Sequence, residues 1–228
     1  MTALSKRPPG RPKDEALQSR RQEEILAAAT HAFAECGYPS TDVQVIADRL
    51  GVGKGTVYRY FPSKQELFLA AVDRGLRRLN ERIEADTAGV ADPIDRIAQA
   101  IHSYLAFFAE NRELVELFIQ ERAEFKDRKQ PAYFEQREAT CGPWDDLIRQ
   151  LMAEGRLRDI PVEELRDVTS DLLYGTIFAN YFARRDTPPR AQADQVIDLV
   201  FHGILTDKER KRRGERGRGS AAKEPNQR

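Results

Sequence analysis

The stretch that most constrains this chain is TDVQVIADRLGVGKGTVYRYF, residues 41–61. It reads as two short helices joined by a tight turn. Thr41 is a good N-cap, and Gln44 three residues later can complete a capping box. Val43, Ile46, Ala47 and Leu50 then recur at three- and four-residue steps, which is one apolar face of a helix. Gly51-Val52-Gly53 stops that helix, because glycine accepts backbone angles other residues resist. The second helix, Lys54 to about Tyr60, can bury only Val57 and, one turn later, Phe61. The rest of its surface is Lys54, Gly55, Thr56, Tyr58, Arg59 and Tyr60. A short helix with cations, hydroxyls and no bulk at its start suits a DNA major groove, where donors meet base edges and phosphates flank the helix.

Helices on either side complete this unit. From about Ser19 to Cys36, the residues Ile25, Ala28, Ala29, Ala32 and Phe33 form a buried stripe. Gly37 caps that helix, Tyr38 packs back on the unit, and Cys36 reads as a small core residue. Pro62 ends the second short helix, and Ser63 with Glu66 opens another by a capping box. Leu67, Phe68, Ala71, Val72, Leu76, Leu79 and Ile83 keep helical period to about Ala85. That fourth helix begins in the N-terminal unit and ends in the rest of the chain, so it would carry movement between them.

At this point a resemblance emerges. GVGKGTVYRYFPSKQELF, preceded by TDVQVIADRL and by an amphipathic helix ending in CGY, resembles the DNA-binding domain of the TetR/AcrR family of transcriptional regulators. The match covers roughly Arg21 to Val72, and the remainder follows the family only in layout. The resemblance implies an all-helical homodimer, a palindromic double-stranded DNA operator and a small-molecule effector. It places Lys54, Gly55 and Thr56 near base edges, and Tyr58 and Tyr60 on phosphates. Arg59 faces outward, toward a guanine edge or a phosphate; Thr41 and Gln44 meet a phosphate at a helix N-terminus, and Lys64 meets another.

Composition narrows the alternatives. Lys plus Arg and Asp plus Glu both number 37, so formal net charge is zero. A uniformly basic nucleic-acid coat is excluded, and any DNA-directed field must come from local clusters. Two cysteines, Cys36 and Cys141, give no disulfide framework and fit a reducing cytosol. No signal-peptide core and no membrane-length apolar run appears, so a soluble, cytoplasmic protein is expected. The three histidines lie far apart, and HExxH, CxxC, GxSxG and phosphate-cradling glycine loops are missing. No enzyme, cofactor or metal site is therefore expected.

The expected architecture is all-α, with about nine helices. It divides into a basic N-terminal arm (1–18) without structure, a helix-turn-helix domain (19–65), a helical effector and dimerisation domain (66–206), and a basic tail (207–228). In the arm, Arg7 and Arg11 flank Pro8-Pro9-Gly10, a variant of a minor-groove hook; the alternative is a solvated tail with general DNA affinity. Gly142-Pro143 either kinks a seventh helix running from Pro131 to about Glu154 or splits it in two. Tyr104, Phe108, Phe118, Trp144, Tyr174 and Phe178 could line an effector pocket for an apolar or aromatic compound, with His102 and Glu116 as polar handles; plain core is the competing reading. The last two helices are apolar over more than one face. Gly175, Ala179, Val196, Val200 and Gly203 point to a four-helix dimer interface; the alternative is that both faces are covered within one chain. Repressor and activator stay open, as does an operator-binding regulator with no effector.

Overall fold

The structure, a computed structural model, describes residues 15–202, and there the chain is all-α: ten helices and no strand. They are α1 (Glu15–Cys36), α2 (Val43–Arg49), α3 (Lys54–Tyr60), α4 (Lys64–Thr87), α5 (Pro93–Glu110), α6 (Arg112–Glu124), α7 (Ala132–Thr140), α8 (Gly142–Ala153), α9 (Val162–Ala183) and α10 (Pro189–His202). Arg7, Arg11, Gly203 and the basic tail lie outside the described residues. No described helix is long and apolar enough to cross a membrane.

Two boundaries differ from expectation. Helix α1 starts at Glu15, taking residues 15–18 from the expected arm, because Ala16, Leu17 and Gln18 are strong helix formers. The expected seventh helix is two, α7 and α8, which raises the count from nine to ten. Pro143 sits in the first turn of α8, where its missing N–H has no helical partner to lose.

Local signals explain most remaining ends. Ser63 Oγ accepts from the Glu66 amide at 3.1 Å, the N-cap half of the expected capping box of α4, and donates to Glu66 Oε1 at 3.3 Å. Asp92 accepts from the Ile94 and Asp95 amides, and Pro93 opens α5. After α2, Gly51 takes a left-handed backbone (φ +63°), which turns the chain into α3.

One apolar core runs through both halves of the chain. Ile25, Ala29 and Phe33 of α1 join Ile46 of α2, Val57 of α3 and Phe68 of α4, and the same cluster continues through Leu105, Leu117, Tyr133, Ile177 and Val196. Helix α4 is the shared member, packing on α1, α5, α6 and α7. Where α4 crosses α6, a Cβ on Gly75 would lie 2.5 Å from Leu114 Cδ1, so any side chain there would push the buried Leu114 side chain aside. At the seam, Phe68 is fully buried among Phe33, Tyr38 and Phe125, with ring centroids 5.1, 5.2 and 5.5 Å away. Gln120 of α6 donates to the Phe33 carbonyl at 2.9 Å, and His31 of α1 meets Glu113 of α6 at 2.6 Å. Cys36, expected in the core, is exposed at the end of α1.

Candidate nucleic-acid interface and the helical domain behind it

The N-cap of α2 is Asp42 and not Thr41. Asp42 Oδ1 accepts from the Gln44 amide at 2.8 Å, whereas Thr41 is 3% exposed. The Thr41 hydroxyl donates inward to the carbonyls of Gly37 (2.7 Å) and Ala32 (3.3 Å), which withdraws it from any phosphate. Gln44 is exposed, and its side chain donates to Asp48 at 2.7 Å.

Helix α3 buries Val57 and leaves Gly55, Tyr58 and Arg59 exposed. Gly55 is exposed and a Cβ there would meet nothing within 4 Å, so a flat backbone surface is offered beside Lys54 and Thr56. Tyr58 and Arg59 are exposed, and the Arg59 guanidinium lies 5.3 Å from the Tyr60 ring centroid. Tyr60 is half-buried and packs on the core, which leaves it less free than Tyr58 to reach outward. Lys64 caps the flank of this surface: its Nζ donates to the Pro39 carbonyl at 3.0 Å and sits 4.7 Å from the Tyr38 ring centroid.

Lys54 is held in reserve. Its Nζ donates to Asp42 Oδ1 at 2.7 Å, which raises the lysine pKa. The Gln44 amide first, and Lys54 second, hold the Asp42 carboxyl below its ordinary range. A phosphate approaching Lys54 therefore meets a carboxylate already in place.

Behind this unit the aromatic side chains form a continuous file. Tyr104 contacts Phe108, Phe108 contacts Phe118, Phe118 contacts Tyr133, and Tyr133 contacts Tyr174, which stacks toward Phe178 at 4.7 Å. Five of the six expected pocket residues belong to it. Trp144 does not; it sits on α8 with the Arg96 guanidinium 5.6 Å from its ring. Tyr133 and Phe134 are the members the sequence reading missed, although their spacing from Pro131 marks a helix start. Two clefts border the file. One of about 270 Å³ has Leu105, Phe108, Val115 and Ile177 at its floor and Arg112 and Arg185 among its lining. The other, of about 260 Å³, lies between α6, α7 and α9. Glu116 accepts from Tyr181 and Gln120, and His102 faces Asp194 of α10 at 3.1 Å, so neither handle is free inside the file.

The C-terminal helices present one bare apolar stripe. Val168 (64% exposed), Leu172, Gly175, Ala179 and Phe182 (67% exposed) follow the repeat that keeps residues on one side of α9. Gly175 lies open, and Ala179 is half-buried. Val196 is a correction: α10 packs on α5, which turns Val196 inward to 6% exposure within its own core. Val200 also packs against that core, and Leu199 is the exposed apolar residue of α10. Paired amide hydrogen bonds, Asn180 to Gln192 at 2.6 Å and the return at 2.9 Å, tie α9 to α10.

Residues 25–71 match the family model for bacterial regulatory proteins of the tetR family, and residues 90–177 match the tetracyclin repressor-like C-terminal domain. An uncharacterised HTH-type transcriptional regulator of Mycobacterium tuberculosis is 28% identical over 196 residues, 86% of this chain and 93% of its own. The HTH-type transcriptional repressor KstR of the same organism is 25% identical over 195 residues, 84% of each chain. The solved FadR regulator of Bacillus subtilis, in complex with stearoyl-CoA, superposes with a TM-score of 0.68 at 20% identity, covering 80% of this chain and 99% of that one.

Proposed function

Because the chain belongs to the TetR family of transcriptional regulators, we propose that it is a cytoplasmic homodimeric repressor, released from a palindromic operator by a small effector with an apolar or aromatic body. The observation that carries this reading is the pairing of two surfaces at opposite ends of the chain. One is α3, which shows Gly55, Tyr58 and Arg59 to solvent, with Lys54 and Thr56 half-buried beside them. The other is the bare stripe of α9, which a second copy would cover. One α3 spans only a few base pairs. Two, held by a dimer, would enter successive major grooves roughly 34–36 Å apart.

The effector half of the proposal draws on the aromatic file and its two clefts. KstR is named a repressor and the FadR structure holds an acyl thioester, which favours repression and an apolar ligand body here. A ligand that prefers one arrangement of α4 to α9 shifts operator affinity by that preference. The shared core around Phe68 gives the shift a path to α3.

Gel shift with DNA from this chain's own promoter tests the reading. Lys54→Ala and Tyr58→Ala should each weaken binding about tenfold, as loss of a base or phosphate contact does. No change in either overturns the assignment of α3. Asp42→Asn should act the other way. Asparagine keeps the cap of α2 but removes the charge that competes for Lys54. Operator binding about threefold tighter is expected at low salt, with the gain shrinking as salt rises.

A further inference from the structure

We propose that the cleft between α6, α7 and α9 receives a single-ring organic cation, its ring among Phe118, Tyr133, Phe134 and Tyr174 and its ammonium on Glu121. This rests on the reading that the helical domain takes a small ligand, and names the chemical class.

Glu121 is the reason. It occupies the buried stripe of α6, seven residues after Leu114 and three after Phe118, and is 2% exposed. It lines the cleft. Its Oε1 accepts from the Ala132 amide at 2.9 Å, with Arg128 Nε at 3.6 Å. Its Oε2 is buried and has no hydrogen-bond partner. A buried carboxylate oxygen without a donor is costly and rarely kept in a plain core. Burial pushes the Glu121 carboxyl above its ordinary range; the Ala132 amide and Arg128 oppose this, while Glu135 and Asp73 add to it.

The other charges around the cleft do not fill the gap. Arg128 is shared with Glu135 at 2.7 Å. Arg137, 5.3 Å from the Phe134 ring centroid, faces Asp167 and Asp171 at 3.6 and 3.7 Å. Arg122 lines the cleft but is exposed to solvent. An anionic ligand would meet Glu121, the buried charge of the lining, in a field that Asp73 and Glu135 make more negative. A neutral alcohol could donate to Oε2 but not balance its charge. An ammonium does both, and aromatic faces attract it further. Tyr133 and Tyr174 approach to 4.6 Å and Phe134 and Tyr174 to 5.2 Å, so the rings form one wall. At about 260 Å³ the space suits one ring and a short arm.

Calorimetry on the full chain with 2-phenylethylamine, 2-phenylethanol and phenylacetate, matched in shape, tests the assignment. The amine should bind about tenfold tighter than the alcohol, and phenylacetate weakest. Glu121→Gln should bring the amine down to the level of the alcohol, and Tyr174→Leu should weaken both. Equal binding of amine and alcohol to the unaltered chain, preference for phenylacetate, or no binding of the amine overturns the proposal without any variant needing to fold. Gel shift separates it from the broader reading. Amine bound with the operator still held leaves the cleft assigned and sinks only its role as effector site. Operator release by an apolar compound that ignores Glu121→Gln, with the amine unbound, does the reverse.

Discussion

Val168→Lys with Phe182→Lys should turn the proposed dimer into monomers and abolish operator binding. Both side chains are about two-thirds exposed in the single chain, so lysine costs the protomer little. At position 182, in the last turn of α9, a cation also complements the helix dipole. In a dimer built on this stripe, four apolar side chains, two from each chain, become four desolvated like charges. Buried anchors of an interface are worth about 2 kcal/mol or more each. Two of the four already account for about a thousandfold rise in the dimer dissociation constant, and the full change exceeds that. Sedimentation velocity should then show a monomer with unchanged helical circular dichroism, and gel shift should show no discrete complex. A double variant that stays dimeric and on DNA places the interface elsewhere.

Phe68→Ala should be among the most damaging single truncations of the described residues. The ring is fully buried and touches Phe33, Tyr38 and Phe125. Emptying such a site costs about 3–5 kcal/mol, a large part of the roughly 5–15 kcal/mol that holds a domain folded. Urea titration should show the midpoint fall with an unchanged slope, read by far-ultraviolet circular dichroism and by Trp144 fluorescence alike. Trp144 is remote from the ring, on α8, so coincident curves mean that both halves of the core melt together. Two separated transitions would show that they do not.

What the sequence made legible was whatever local chemistry decides. The stop at Gly51, the N-cap at Ser63 and the cap and proline at Asp92-Pro93 are each set within a few residues, and each appears as read. Thr41 failed because a longer-range contact intervened. Its hydroxyl is claimed by the carbonyls of Gly37 and Ala32, and the cap passes to Asp42. Val196 failed for a similar reason: a helix apolar on two faces does not say which one its own protomer takes, and α5 took that side. Glu121 was written in the sequence, at a stripe position with no apolar side chain, but only the fold shows that one oxygen lacks a donor. The aromatic positions were legible as a set. Whether they close on themselves or flank open space depends on α7, whose start at Ala132 brings Tyr133 and Phe134 into the file.

The seam around Gly75 and Phe68 bears on how such chains can be recombined. A graft could join the operator-reading head of one regulator to the sensing body of another at the boundary expected from sequence, near residue 65. Here that cut would separate Phe68 from Phe33 and Tyr38, its ring partners in the N-terminal unit. A working chimera should instead inherit α1, α4 and α6 from one parent and exchange only the helices from α7 onward.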